Sequence, residues 1–157
     1  MEVRLEKAMN SDAEAIFDIQ VKAFIPLLEK YKDYNTNPAN ETIERVIERI
    51  NNPDGRFYKI LNDDVLVGAI CVFWKEETQF WISPMFISPE YQGKGIAQKA
   101  IRLTEELFPQ ATTWELRTLL QENRNCYLYE KIGYKQLKDW KHSLNEKATL
   151  VHYTKVC

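Results

Sequence analysis

The chain has 157 residues, enough for one domain (1–157) with a core that folds without disulfide or metal staples. Lys and Arg total 21 against 23 Asp and Glu; a net charge of −2 exerts no general pull on a phosphate backbone or an anionic membrane, so neither nucleic acid nor a membrane is an expected partner. The three cysteines, Cys71, Cys126 and Cys157, are odd in number and lack paired metal-ligand spacing, which suits reduced thiols and implies no metal. A catalytic cysteine is the sharper alternative, but Cys71 sits in the apolar run "VGAICVFW", and neither His142 nor His152 adjoins a cysteine in sequence. The N-terminus lacks a signal-peptide core and no apolar run reaches the ~20 residues of a membrane span, so a cytoplasmic location is expected.

In chain order, Val3 and Leu5 alternate with polar neighbours as a short strand, and Ser11 three residues ahead of Glu14 forms a capping-box pattern that starts a helix. Ile16, Ile19, Ala23 and Leu27 continue it at helical spacing, with Pro26 implying a kink or break near Phe24. The polar segment "YKDYNTNPAN" reads as a connector or a substrate-covering loop. "ETIERVIERI" predicts a second helix, ended by "NNPDG". "RFYKIL" and "VLVGAICVFWK" then form a hairpin across "NDD", and "TQFWISPMFIS" adds a strand to the meander. After "EYQGKGIAQK" comes a helix to Pro109, then the strand "TTWELRTLL", a short helix closed by Gly133, and two last strands, "YKQLKDW" and "ATLVHYTKV". This order describes a mixed α/β domain whose strands are both adjacent and crossed over.

A strand leading through a glycine turn into a helix aims several backbone N–H groups and the positive end of the helix dipole at one point, where an anion fits. Glycine lets the backbone turn tightly and a phosphate approach without a Cβ in the way, and Lys94 adds charge. The Walker spacing is absent, and Gln98 stands where the dinucleotide fingerprint needs a small residue. Taken alone, the segment reads equally as an anion seat and as a plain helix cap.

The wider stretch "FISPEYQGKGIAQKAI" resembles the acyl-CoA signature of the GNAT superfamily of N-acetyltransferases, Gln/Arg-x-x-Gly-x-Gly/Ala, met by Gln92, Gly95 and Ala97. "YLYEKIGY", Tyr127 to Tyr134, is similar to the same family's late tyrosine motif, and the element order matches along essentially the whole chain. The resemblance implies a GNAT-type α/β (α+β) fold, a mixed sheet of about six to seven strands flanked by about four helices. It implies acetyl-CoA as cosubstrate, with the pyrophosphate on the backbone of Gln92, Gly93, Lys94, Gly95, Ile96 and Ala97, and the pantetheine arm along Met85, Phe86 and Ile87 where the fourth and fifth strands part. Pro84 suits such an opening, and equally an ordinary sheet edge.

By the same resemblance Tyr129 is the general acid for the departing thiolate, and a backbone N–H near Phe86 or Ile87 meets the oxyanion. The fourth strand lacks the glutamate many relatives use as base. Glu115 on the next strand is the first substitute, with Glu76 and Glu77 behind it; a solvated charge is the alternative for all three. Asn125 stands where a small residue is usual, either bonding pantetheine or capping its helix. The expected function is acetyl transfer to a primary amine of a small molecule or peptide, by a monomer or homodimer. A non-catalytic acyl-CoA-binding module is the alternative, and a generic nucleotide-binding domain lies outside the resemblance.

Overall fold

Strand β1 (Val3–Lys7) opens the computed structural model, which describes residues 1–157. A 3₁₀ turn, Asn10–Asp12, leads into helix α1 (Ala13–Tyr31). The cap lies two residues earlier than the Ser11–Glu14 pattern implied: the Met9 N–H donates to Asp12 Oδ2 at 2.7 Å, because the 3₁₀ turn takes up Ser11 itself. Pro26 does not end α1. The helix continues to Tyr31 and stops at Lys32, whose φ of 55° turns the chain while its N–H still reaches Leu28 O. Proline removes one hydrogen bond, and the buried inward face of Ile16, Gln20 and Ala23 outweighs that loss.

The polar segment after α1 folds back on it. Gln20, fully buried, donates from Nε2 to Pro38 O and to Glu41 Oε1, both at 2.9 Å. Helix α2 (Ile43–Asn51) is tied to the same place by the Arg49–Glu41 fork at 2.6 and 2.7 Å.

β2 (Gly55–Asn62), β3 (Val65–Glu76) and β4 (Gln79–Ile87) form the expected meander. Asp63 and Asp64, at φ 49° and 66°, make the two-residue connection whose left-handed pair matches strand twist. Then follow α3 (Ile96–Leu107), β5 (Thr113–Leu119), α4 (Asn123–Lys131), β6 (Lys135–Ser143) and β7 (Thr149–Val156). The seven-stranded sheet has the order β1-β2-β3-β4-β5-β7-β6, all neighbours antiparallel except β4 and β5.

Strand alternation separates two layers. Phe80, Ile82, Trp114, Leu116, Val151 and Tyr153 join Ile96, Ala100 and Ile101 of α3 and Tyr129 of α4 in one core. Ala69, Cys71 and Phe86 face Ile16, Ala23 and Val46 of α1 and α2 in the other. Cys71 is packing: burial, with only small opposing effects from Arg49 and Arg45, pushes its thiol up to about 12. No helix is long and apolar enough to cross a membrane.

Asp12 joins this layer to the sheet through Lys59 Nζ at 3.1 Å. Burial opposes its ionisation, but the Met9 N–H and the Lys59 ammonium outweigh that, and its carboxyl titrates below the usual range. Its contribution is therefore present above the unfolded value near ~3.9 and is lost as pH falls through the lower folded value. Asp12→Ala should cost about 1 kcal/mol in urea unfolding at pH 7, and the gap to the parent should close in acid. A gap independent of pH would remove the carboxylate as its cause.

Candidate active site

The site begins where the sheet stops pairing. β4 and β5 run parallel through Gln79–Thr113, Phe80–Trp114 and Trp81–Glu115, and no further. On its other side β4 skips from Val72–Ile82 to Ile70–Met85, so Ser83 and Pro84 form a bulge that bends it away from β5. Proline is tolerated there because no N–H is needed. Beyond the split the two strands wall an opening on which α1 and α4 close from either side.

The glycine turn lies at the far end of β4. Ile87 O accepts from Gln92 Nε2 at 2.9 Å, so this glutamine ties off the strand end with its side chain. Gly93 and Gly95 sit at φ 77° and 82°, the left-handed region that glycine enters freely. With this geometry the amides of Gly93, Lys94, Gly95, Ile96 and Ala97 find no protein acceptor, and α3 starts without a side-chain cap. A Cβ on Gly95 would meet no protein atom within 4 Å, so the space above the turn is open. Arg124 of α4 reaches across to it, with Nη2 2.9 Å from where a Gly93 Cβ would stand. Lys94 instead lays its ammonium over the Tyr91 ring, 5.4 Å from the centroid, and lines neither cavity described below. Unpaired amides, a helix N-terminus and an unpaired guanidinium together fit a phosphate.

Two cavities meet in the split. The first, about 580 Å³, runs from the turn along Met85, Phe86 and Ile87 to α4. The second, about 310 Å³, lies between Asp33–Pro38, Ile82–Met85 and Leu116–Leu119. Phe24, Leu27, Met85, Glu122, Asn125 and Tyr129 line both, which marks the junction. Tyr129 is 8% exposed, and its hydroxyl makes no hydrogen bond within the protein. Burial raises its phenol well above the ordinary value, with a smaller effect from Cys126, so it stays protonated. Asn125 lies inside α4, which is flanked at its start by Glu122; the asparagine therefore caps nothing, and its side-chain amide is free toward the junction.

Glu115 is not brought to the cavities. It is 6% exposed and lines neither; Oε1 is 2.9 Å from His152 Nε2, and Oε2 accepts from Thr154 Oγ1 at 3.2 Å. As the last β5 residue still paired with β4, it is walled off by Trp81. Glu76 and Glu77 lie at the turn before β4, exposed and at the opposite end from the opening.

The carboxylate at the junction is Glu122, which sequence reasoning passed over. Its Oε2 accepts from Tyr31 OH at 2.5 Å and pairs with Lys30 Nζ at 3.4 Å, while Oε1 has no protein partner. Tyr31 is 4% exposed, so α1 holds Glu122 from a fixed point. Only its place just before the tyrosine helix could have singled it out. Asp33 lines the second cavity, 9% exposed, with Oδ1 accepting from Asn37 Nδ2 at 3.1 Å and Oδ2 unpartnered. Tyr34 and Glu29 point to solvent.

A mixed sheet split between parallel strands, with a glycine turn of unpaired amides at the head of the following helix, is the fold of an acetyltransferase. Residues 14–134 match the acetyltransferase (GNAT) family, and the chain belongs to it. A relative from Bacillus subtilis (strain 168), the uncharacterized protein YrkN, is 32% identical over 135 residues, covering 84% of this chain and 72% of the relative. Among solved structures, the PaiA N-acetyltransferase of Thermoplasma acidophilum in complex with coenzyme A superposes with a TM-score of 0.74 at 15% identity, all of both chains being covered. The spermidine N-acetyltransferase of Vibrio cholerae, in complex with CoA and spermine, gives 0.78 at 14% identity over 98% of this chain and 95% of that one. The ribosomal-protein-S18-alanine N-acetyltransferase of Escherichia coli gives 0.78 at 9% identity, over 99% and 94%.

Because Gly95 has open space but a left-handed φ, Gly95→Ala should destabilise the fold by about 1–2 kcal/mol through its backbone alone. Denaturant titration of the ligand-free protein measures this; a loss several times larger would mean that the turn packs against something the geometry does not include.

Proposed function

We propose that the protein is an N-acetyltransferase that moves the acetyl group of acetyl-CoA onto a primary amine of a small molecule or peptide. The observation that carries this reading is the pair of cavities meeting at Tyr129 and Glu122 within the split of β4 and β5. The first cavity suits the donor: the free amides of Gly93–Ala97 and Arg124 take the pyrophosphate, and the β4 backbone at Met85–Ile87, unpaired on its β5 side, takes the amides of the arm. The second takes the acceptor.

Acetyl transfer needs a neutral amine. Glu122 Oε1 accepts a proton from the incoming ammonium, directly or through water, while Tyr31 and Lys30 hold the other oxygen. The amine nitrogen attacks the thioester carbon, an N–H of the β4 backbone meets the oxyanion, the C–S bond breaks as Tyr129 gives its proton to sulfur, and the second proton on the former amine leaves nitrogen and returns through water to the Tyr129 oxygen, giving the neutral amide and thiol. Burial makes the Tyr129 phenol a weaker acid, and it raises the basicity of a thiolate leaving into the same junction in the same direction. Glu115 and Lys94 have supporting roles in this reading, Glu115 beneath the site and Lys94 at its rim.

Calorimetric titration with acetyl-CoA, ATP and NAD, followed by acceptor-dependent thiol release over an amine panel, tests the proposal. Binding of acetyl-CoA alone, with release above background hydrolysis, is expected; binding without release for any amine would leave only an acyl-CoA-binding module. Tyr129→Phe should lower kcat by about 10- to 100-fold with acetyl-CoA affinity within about twofold. Glu122→Gln should lower kcat/KM by roughly 10²-fold or more near pH 7, and its residual rate should climb as pH approaches the amine's own pKa of ~10. A variant pH profile parallel to the parent's would exclude Glu122 as the base.

A further inference from the structure

We propose that the second cavity contains a binding site for an anionic group on the acceptor, a carboxylate or the chemically similar phosphate, and that Arg117 reads it. This rests on the acetyl-transfer reading above and makes the acceptor an amine that also carries a negative charge.

Arg117 follows Glu115 by two residues on β5, on the same face, but lies beyond the split and lines the second cavity. Its side chain is held at several points. Nε donates to His152 Nδ1 at 3.2 Å, and the guanidinium carbon stands 4.0 Å over the Trp140 ring and 5.2 Å from the Trp81 centroid. Since His152 Nδ1 accepts, the ring proton sits on Nε2 and is donated to Glu115 Oε1 at 2.9 Å. Both rings also pack on His152, Trp81 at 5.1 Å and Trp140 at 5.8 Å.

A buried Glu–His pair contributes little net stability, because desolvation offsets the attraction. What it does here is fix the tautomer that receives Arg117. Arg117 is exposed, and its two terminal nitrogens make no hydrogen bond or ion pair in the protein, so a planar set of donors is fixed by the two rings and His152 and stays accessible from solvent at the rim of the cavity. Sequence periodicity cannot show this, since the supports come from β4, β6 and β7.

The rest of the cavity carries the opposite sign. Asp33 and Glu122 each keep one oxygen without a protein partner. Arg117 on the β5 side and two carboxylates toward α1 and α4 match an amine at the junction and an anion at Arg117, as in an amino acid.

The test uses matched acceptors on the full chain: an amino acid, its carboxamide, the corresponding aminoalkyl phosphate and the plain alkylamine. The amino acid or the aminoalkyl phosphate should exceed the carboxamide by at least about tenfold in kcat/KM, mostly through KM, and whichever is better names the anion. Arg117→Ala should abolish that preference and Arg117→Lys should restore only part of it, as a point charge without the fork; retained acetyl-CoA binding reports that each variant folds. His152→Gln should weaken the preference through position alone. Tryptophan fluorescence of the CoA-loaded protein, titrated with the same ligands, reads the site without turnover, because Arg117 rests on Trp140. Quenching by the anionic ligands with no thiol release would keep the site and sink acetyl transfer. Equal handling of amino acid and carboxamide, or a preference that survives Arg117→Ala, would overturn the site itself.

Discussion

A sheet that stops pairing in its own middle leaves strand amides and carbonyls without partners, and most of this molecule follows from how that is accommodated. β4 and β5 share three register pairs and then part at Trp81 and Glu115. Unsatisfied backbone groups in a dry interior cost enough that such an opening persists only if other groups or a ligand meet them. Pro84 in the bulge removes one donor outright, Gln92 caps Ile87 O, and Ser88 N–H turns to Val67 O at 2.7 Å. What is left unpaired on β4 faces the larger cavity.

Keeping the opening open requires α1 and α4 to be held apart yet rigid. Phenol–carboxylate bonds do this on the α4 side: Tyr153 OH donates to Glu130 Oε2 at 2.6 Å, and Tyr134 OH to Glu105 Oε2 at 2.9 Å, with Lys155 on the same Glu105. Burial first, and the adjoining carboxylate with it, raises both phenols, so they remain donors throughout the physiological range. Tyr31 and Glu122 bridge α1 to the start of α4 in the same manner. One bond thus both spans the opening and leaves Glu122 Oε1 without a protein partner in a residue that lines both cavities.

The elements and their order were legible because each carries its own period or punctuation, and the glycine turn because its backbone geometry is written in residue type. The insertion of β7 between β5 and β6 was not, since nothing local in "YKQLKDW" distinguishes an outer strand from an inner one. The cap moved from Ser11–Glu14 to Met9–Asp12 because a 3₁₀ turn competes for the same residues. Pro26 stayed within α1 because long-range burial overrode local preference. Tyr129 could be found from its motif, whereas Glu122 acquires meaning only when Tyr31, some ninety positions away, donates to it.

Glu115 and Arg117 show how one geometric boundary assigns opposite roles to neighbours that look interchangeable in sequence. Both point to the sheet face that α1 and α2 leave uncovered on β5. Before the split, a β5 side chain has β4 beside it, so Glu115 is enclosed by Trp81, His152 and Thr154 and both its oxygens are used internally. Two residues on, β4 has moved away, and the same facing puts Arg117 at the rim of a cavity with its donors unspent. A carboxylate read from strand position alone is therefore drawn to the wrong side of the boundary. The carboxylate proposed as base, Glu122, sits across the opening, just before α4.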